Sequence, residues 1–190
     1  MARFPIRYGV DSDDRIRSVG PEWPVFASEN AAADLDPGSV VGRPLWDFIA
    51  DAETRDLYRL IFDAVRVQGR EVTVPFRCDS PECRWYMELA IAPLSDRELS
   101  ISSQLIREEP REHSALLDTG PGRSDEFVKI CSWCKRVLLP PSDWCEVEVA
   151  VRRLGLFDSN ALPNLTHGVC PDCEVKIGAE LERVTDPAGG

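Results

Sequence analysis

Histidine and methionine are scarce. The chain has two of each, and the histidines are His113 and His167. Neither histidine sits in a recognisable phosphotransfer helix. No Gly-rich loop that could cradle a phosphate and no nucleophile–base constellation occurs, so no enzymatic activity is expected. No apolar run approaches the roughly 20 residues that span a bilayer. The opening Met1-Ala-Arg-Phe-Pro-Ile-Arg7 lacks the apolar stretch of a signal peptide. The expectation is a cytoplasmic protein that does not enter a membrane. No segment is basic. The net charge of −11 is spread as −6 over residues 1–106, −2 over 107–130 and −3 over 131–190. Nucleic acid is therefore not an expected partner, and the bland role of the acidity is to keep the chain in solution. Seven cysteines without an export signal are expected to be reduced, which favours metal or redox chemistry over a disulfide framework.

Four of those cysteines fall in two close pairs, Cys131 with Cys134 and Cys170 with Cys173. Each Cys-x-x-Cys supplies two ligands from one tight turn, and two pairs complete the tetrahedral four-sulfur set that zinc takes in structural sites. Two other chemistries use the same residues: a thiol–disulfide switch or oxidoreductase and an iron–sulfur cluster. The switch needs only one pair, and the surrounding pattern is not a strand-then-helix redox motif. Zinc is the favoured reading. His167 is an alternative ligand or a hydrogen-bond partner to a sulfur. Cys145, next to Trp144, reads as a packed thiol.

The first 106 residues obey ordinary packing rules. Short strands are expected at 14–19 and 23–27, then a turn-rich stretch over 29–50 with helical turns at 44–49. Asp51 caps a helix that runs to about Gln68, where Leu57, Leu60, Ile61 and Ala64 make an apolar face and Gly69 stops it. Three alternating strands come next, at 71–77, 84–93 and 97–106, an antiparallel meander with one buried face. Pro75 cannot donate to the ladder, so its strand is an edge or the proline sits on an unpaired side. The fold class is α+β. The stretch 107–127, rich in charge, Pro and Gly, reads as an acidic linker with at most a brief helix near 112–117. Residues 128–190 form a Cys-rich module, and the tail 184–190 frays.

Residues from about 12 to 106 resemble a PAS domain: two strands, short helices, one long helix, then three strands. The likeness is carried by Trp23-Pro-Val-Phe-Ala-Ser-Glu-Asn30, Val41-Gly-Arg-Pro-Leu-Trp-Asp-Phe-Ile49 and Arg77-Cys-Asp-Ser-Pro81. It implies a sensor or dimerisation domain with a five-stranded antiparallel sheet, helices on one face, and a cavity for a small molecule between them. Candidate lining residues are Trp46, Phe48, Leu57, Ile61, Phe76, Trp85, Met87 and Leu89, against the alternative that they fill a core. Haem is not expected, because 51–69 holds no histidine, and neither is flavin, because no Asn-Cys-Arg phrase occurs. Cys78 and Cys83 flank a turn. They read either as a redox pair with thiol pKa values lowered by Arg77 and Arg84 or as two half-buried thiols.

In the C-terminal part, Cys131-Ser-Trp-Cys-Lys-Arg136 reads as a zinc knuckle. Residues 137–144 read as a hairpin around Pro140-Pro141, and 145–154 as strand or helix. Cys170 opens a helix with Pro171 at its first position, where free amides and the dipole favour thiolates. This order resembles a treble-clef or zinc-ribbon module. The phrases Cys-Ser-Trp-Cys-Lys-Arg and Thr166-His-Gly-Val-Cys-Pro-Asp-Cys173 are similar to a cysteine-rich tail after sensory domains in some bacterial signalling proteins. The resemblance implies a signalling protein acting through a protein partner or its own dimer.

Overall fold

The computed structural model describes residues 5–29, 32, 35–118, 122–156 and 162–185; of the tail 184–190 expected to fray, Val184 and Thr185 are helical and 186–190 lies outside the described residues. Five antiparallel strands form the first sheet: β1 (Ile6–Val10), β2 (Ile16–Val19), β3 (Val72–Asp79), β4 (Cys83–Pro93) and β5 (Leu99–Pro110), in the order β2-β1-β5-β4-β3. Helices α1 (Trp23–Glu29), α2 (Pro37–Val40) and α3 (Ala52–Gln68) connect β2 to β3. The expected alternation sets the register. Val72, Val74 and Phe76 stand opposite Ile91, Leu89 and Met87, and this face packs against Trp23, Val40, Ile61, Phe62 and Val65. The Asp51 carboxylate accepts from the Thr54 amide at 2.8 Å, and Gly69 closes α3 with φ of 63°. Pro75 is exposed on β3, which is the edge strand.

Three expectations fail. Residues 23–27 form helix α1 and not a strand. Pro24 is tolerated in a first helical turn, and the Trp23 indole donates to the Leu35 carbonyl at 2.6 Å, which pins the helix start. The unforeseen strand β1 inserts between β2 and β5, with Ile6 and Val10 buried. The stretch 107–127 is not a free linker at its ends, because β5 runs to Pro110 and β6 (Arg123–Cys131) begins before it closes. Between them Ser114 and Leu116 are buried, and only a short 3-10 turn, Ala115–Leu117, is helical.

The charges that suggested a linker are paired. The buried Asp79 carboxylate accepts from Arg77 and Arg111; the Arg111 side chain is 1% exposed and the Asp79 side chain 0%. Arg84 bridges Glu109 and Glu148, and Arg77 reaches Glu146 at 2.8 Å. Glu146 and Glu148 lie at the start of α4 (Val147–Arg153), so this network joins the first sheet to the C-terminal part.

That part contains a second sheet, ordered β8-β7-β6-β9, with β7 (Val137–Leu139), β8 (Asp143–Cys145) and β9 (Leu162–Gly168). The hairpin around Pro140-Pro141 is β7–β8. The ambiguous stretch 145–154 is the end of β8 and then α4. Helix α5 (Pro171–Thr185) packs on α3 and β3. Residues before about 107 and after about 128 share one core. Cys131, Trp133, Val169, Cys170, Cys173 and Ile177 belong to the same cluster as Ile61, Val72 and Leu89.

Candidate metal centre

The two cysteine pairs meet because β6 and β9 run parallel. Cys131 stands opposite Gly168, so both strands end at the same edge of the small sheet and release their next residues there. After β6 the chain turns sharply: the Cys131 N–H donates to the Arg136 carbonyl at 2.7 Å, the Lys135 N–H to the Cys131 carbonyl at 3.0 Å, and Lys135 takes a left-handed φ of 61°. After β9, Cys170 directly precedes α5 and Cys173 lies in its first turn. The Ser132 N–H donates to the Gly168 carbonyl at 2.8 Å, and Arg136 reaches Asp172 at 2.8 Å.

The four sulfurs lie within 4.8 Å of one another. Cys134 and Cys170 Sγ are 3.6 Å apart, close to the ~3.8 Å edge of a tetrahedron with ~2.3 Å zinc–sulfur bonds. All four are free thiols; Cys131, Cys170 and Cys173 are buried and Cys134 is half-buried. The Cys170 N–H points at Cys131 Sγ, 3.4 Å away. Hydrogen bonds from the thiols of Cys131 and then Cys173 hold the Cys134 thiol well below its ordinary value, while burial pushes Cys170 up to about 11. Sulfurs this close cannot all ionise without a cation among them. The donor set therefore fits a metal ion, and the four residues can hold one.

His167 is outside the four-sulfur group. It is exposed on β9 and lines a surface groove with Phe48, Asp51 and Ser132. Burial, and then the Lys135 ammonium, lowers its pKa. Cys145 is a half-buried thiol on β8, also outside the group. Cys78 and Cys83 are both free. Cys78 stands opposite Trp85 in the ladder, not opposite Cys83. Burial pushes the Cys78 thiol up, contrary to the expected lowering by arginine. Neighbouring residues on a strand face opposite ways, and Arg77 and Arg84 spend their charge on Asp79, Glu146, Glu109 and Glu148.

The eight cavity candidates do not converge on one space. Leu57, Ile61 and Leu89 belong to the core, Met87 is buried, and Trp46, Phe48 and Phe76 pack on the core from its margin. Trp85 is half-buried opposite Cys78. Phe48, Leu57 and Phe76 line three different surface grooves.

Two contacts that the sequence did not announce fix the metal centre to the first sheet. Trp133, enclosed between Cys131 and Cys134, is 5% exposed and packs against Tyr58 of α3 and Phe76 of β3, with ring centroids 5.5 and 6.5 Å away. Its carbonyl accepts from the Arg77 N–H at 2.7 Å, so the knuckle pairs with the edge of β3. A large aromatic held inside a Cys-x-x-Cys was the available signal. The second contact is Glu53, in the first turn of α3. It accepts from Lys129 Nζ and from the Val169 N–H, each at 2.9 Å. A Cβ at Gly168 would come within 2.6 Å of Glu53 Oε2, so only glycine leaves room for this clasp.

The Lys129 hydrogen bond, then the Val169 N–H, lowers the Glu53 pKa from its ordinary 4.5. A depressed carboxylate contributes stability that is complete above the ordinary value and lost as pH falls through the folded one. Glu53→Gln should therefore cost under about 1 kcal/mol at pH 7, since the pair is largely solvated. The gap between variant and parent should shrink as pH falls below 4.5. Urea unfolding at a series of pH values measures it; a gap that stays constant to pH 3 would contradict the ionic clasp.

No family model matches the chain, and no curated protein matches it. Among solved structures, the chain is similar to a domain of an HTR-like protein from Haloarcula marismortui, at 16% identity and a TM-score of 0.41, over 54% of this chain and 98% of that one. Among the described residues no helix is long and apolar enough to cross a membrane.

Proposed function

We propose that this chain is a non-enzymatic, cytoplasmic signalling or regulatory protein, in which a PAS-like sensing or dimerisation domain is coupled to a structural zinc module that mediates protein interaction. The observation that carries the reading is the gathering of four sulfurs, three of them buried in the core shared with the five-stranded sheet and the fourth packed at its margin. Four thiolates fill a tetrahedral zinc ion and leave no open position for water or substrate, which suits a structural rather than a catalytic metal. Zinc would offset thiolate charge and tie the end of β6 to the start of α5. The output passes through a protein partner or a homodimer, and neither nucleic acid nor membrane is its target.

The competing thiol-switch reading draws on Cys134, the one sulfur of the four that is not buried. Burial of the other three supports zinc as a permanent part of the fold, because an exchanging thiol must be reachable by its partner.

Elemental analysis of the purified chain tests the metal. One zinc per chain, absent from Cys131→Ser/Cys170→Ser, is the expected result; iron, or no metal, would overturn it. Peroxide that ejects zinc, with reductant restoring it, would move the reading to the thiol switch.

A further inference from the structure

Beside the metal centre, the edge of β3, the knuckle and α5 enclose a groove of about 320 Å³. Phe76, Tyr86, Trp133 and Ile177 give it apolar walls, and Lys176 and Ala179 of α5 stand among its other lining residues. This is not the space between sheet and helices where a PAS resemblance would put a ligand; that space is filled by the core. Two features mark the groove as a site and not only a packing seam. The Trp133 indole N–H is buried and has no hydrogen-bond partner among the described residues. A buried donor left unpaired is costly, so native structures rarely keep one without a use. Lys176 has no ion-pair or hydrogen-bond partner among the described residues, in a chain whose other cations are largely paired.

We propose that this groove binds a small aromatic or flat apolar anion, such as an aromatic carboxylate. Its body lies between Phe76, Tyr86 and Ile177, an acceptor atom takes the Trp133 N–H, and its charge is met by Lys176. The volume is at the lower end for small-molecule sites, of about 300–1,000 Å³, and apolar walls with a few convergent polar groups are their usual make-up. Cys134 and Cys173 line the same groove, so an occupant lies against two of the four sulfurs. Binding there would raise the affinity for metal, and metal would raise the affinity for the occupant by the same factor, because such coupling is reciprocal. The proposal deepens the sensing role proposed for the chain and rests on that role for its purpose.

The test uses the full chain with its metal bound and naphthoate as the probe. The indole N–H resonance of Trp133, identified with Trp133→Phe, should shift and saturate with a dissociation constant on the order of 100 µM. Ala179→Trp, at an exposed position, should fill the groove and abolish the shift while metal content stays at the parent level. Lys176→Glu, and the uncharged naphthalenemethanol in place of naphthoate, should each weaken binding at least about fivefold. An unmoved Trp133 resonance, or equal binding by Ala179→Trp, would overturn the proposal. If that happened in a chain still carrying its metal, the groove alone would fall and the zinc reading would stand.

Discussion

Cys173→Ser should abolish metal binding and melt more than the segment that carries it. Bound zinc in small structural sites contributes on the order of 10 kcal/mol of apparent free energy, comparable to the whole stability of an ordinary domain, about 5–15 kcal/mol. Were the C-terminal module independent, its loss would leave residues before 107 untouched. The shared core argues otherwise. Trp133 and Ile177 pack in the same cluster as Val72, Val74 and Ile61, and the Arg77 N–H has the Trp133 carbonyl as its acceptor. Losing the metal uncovers the outer edge of β3 and one side of Phe76 and Tyr58. Hydrogen exchange should show the Arg77 amide losing protection together with residues 162–185, while β1 and β5 hold longer. Cys145→Ser should change neither metal content nor exchange, since Cys145 is not among the clustered sulfurs. If β3 kept full protection in Cys173→Ser, the coupling between sheet and metal centre would be refuted.

The second large effect is expected at Asp79. Its carboxylate is wholly buried between the guanidinium groups of Arg77 and Arg111. Removing one partner of a buried ion pair leaves an uncompensated charge, which typically costs about 3–5 kcal/mol. Asp79→Asn should lose that much in urea unfolding. Asp79→Asn combined with Arg111→Met should recover part of it, because the stranded cation is gone. The recovery separates a charge effect from a packing defect. A loss below about 1 kcal/mol for the single variant would mean that Glu146 and Glu148 suffice to hold the arginines.

The parts legible in the sequence are those written in local pattern. Helix α3 has its Asp51 cap and its Gly69 stop within 19 residues, and both act as expected, but its buried stripe is Leu57, Ile61, Phe62 and Val65, and Leu60, expected on that face, is exposed. Strands β3 to β5 declare themselves by alternation, and the clustered cysteines by two short spacings. What was not legible depends on partners remote in sequence. The phrase that begins at Trp23 has β-compatible residues, yet the indole bond to Leu35 and packing on the sheet make it helical. Glu109 and Arg111 look like solvated linker charges until Asp79 of β3, Arg84 of β4 and Glu148 of α4 supply their counterions. Cys78 and Cys83 are close in sequence, but the register puts Trp85 opposite Cys78, and no spacing rule contains that register. For the candidate site, the four clustering cysteines were readable and their setting was not. Trp133 and Glu53 act by reaching across to elements 50 to 120 positions away, and a single sequence does not encode such distances on its face.

The parallel pairing of β6 with β9 has a consequence for how this architecture tolerates length variation. Sulfur positions are set where the two strands end, not by the chain that travels between them. Lengthening the passage between Arg153 and Leu162 would leave Cys131 opposite Gly168, and doubling a flexible loop adds only about 0.6 kcal/mol of closure entropy. The interval of 35 residues between the cysteine pairs is thus not what sets the sulfur positions. Proteins built on the same plan should keep each Cys-x-x-Cys and the β7–β8–α4 unit intact while the passage after Arg153 varies in length.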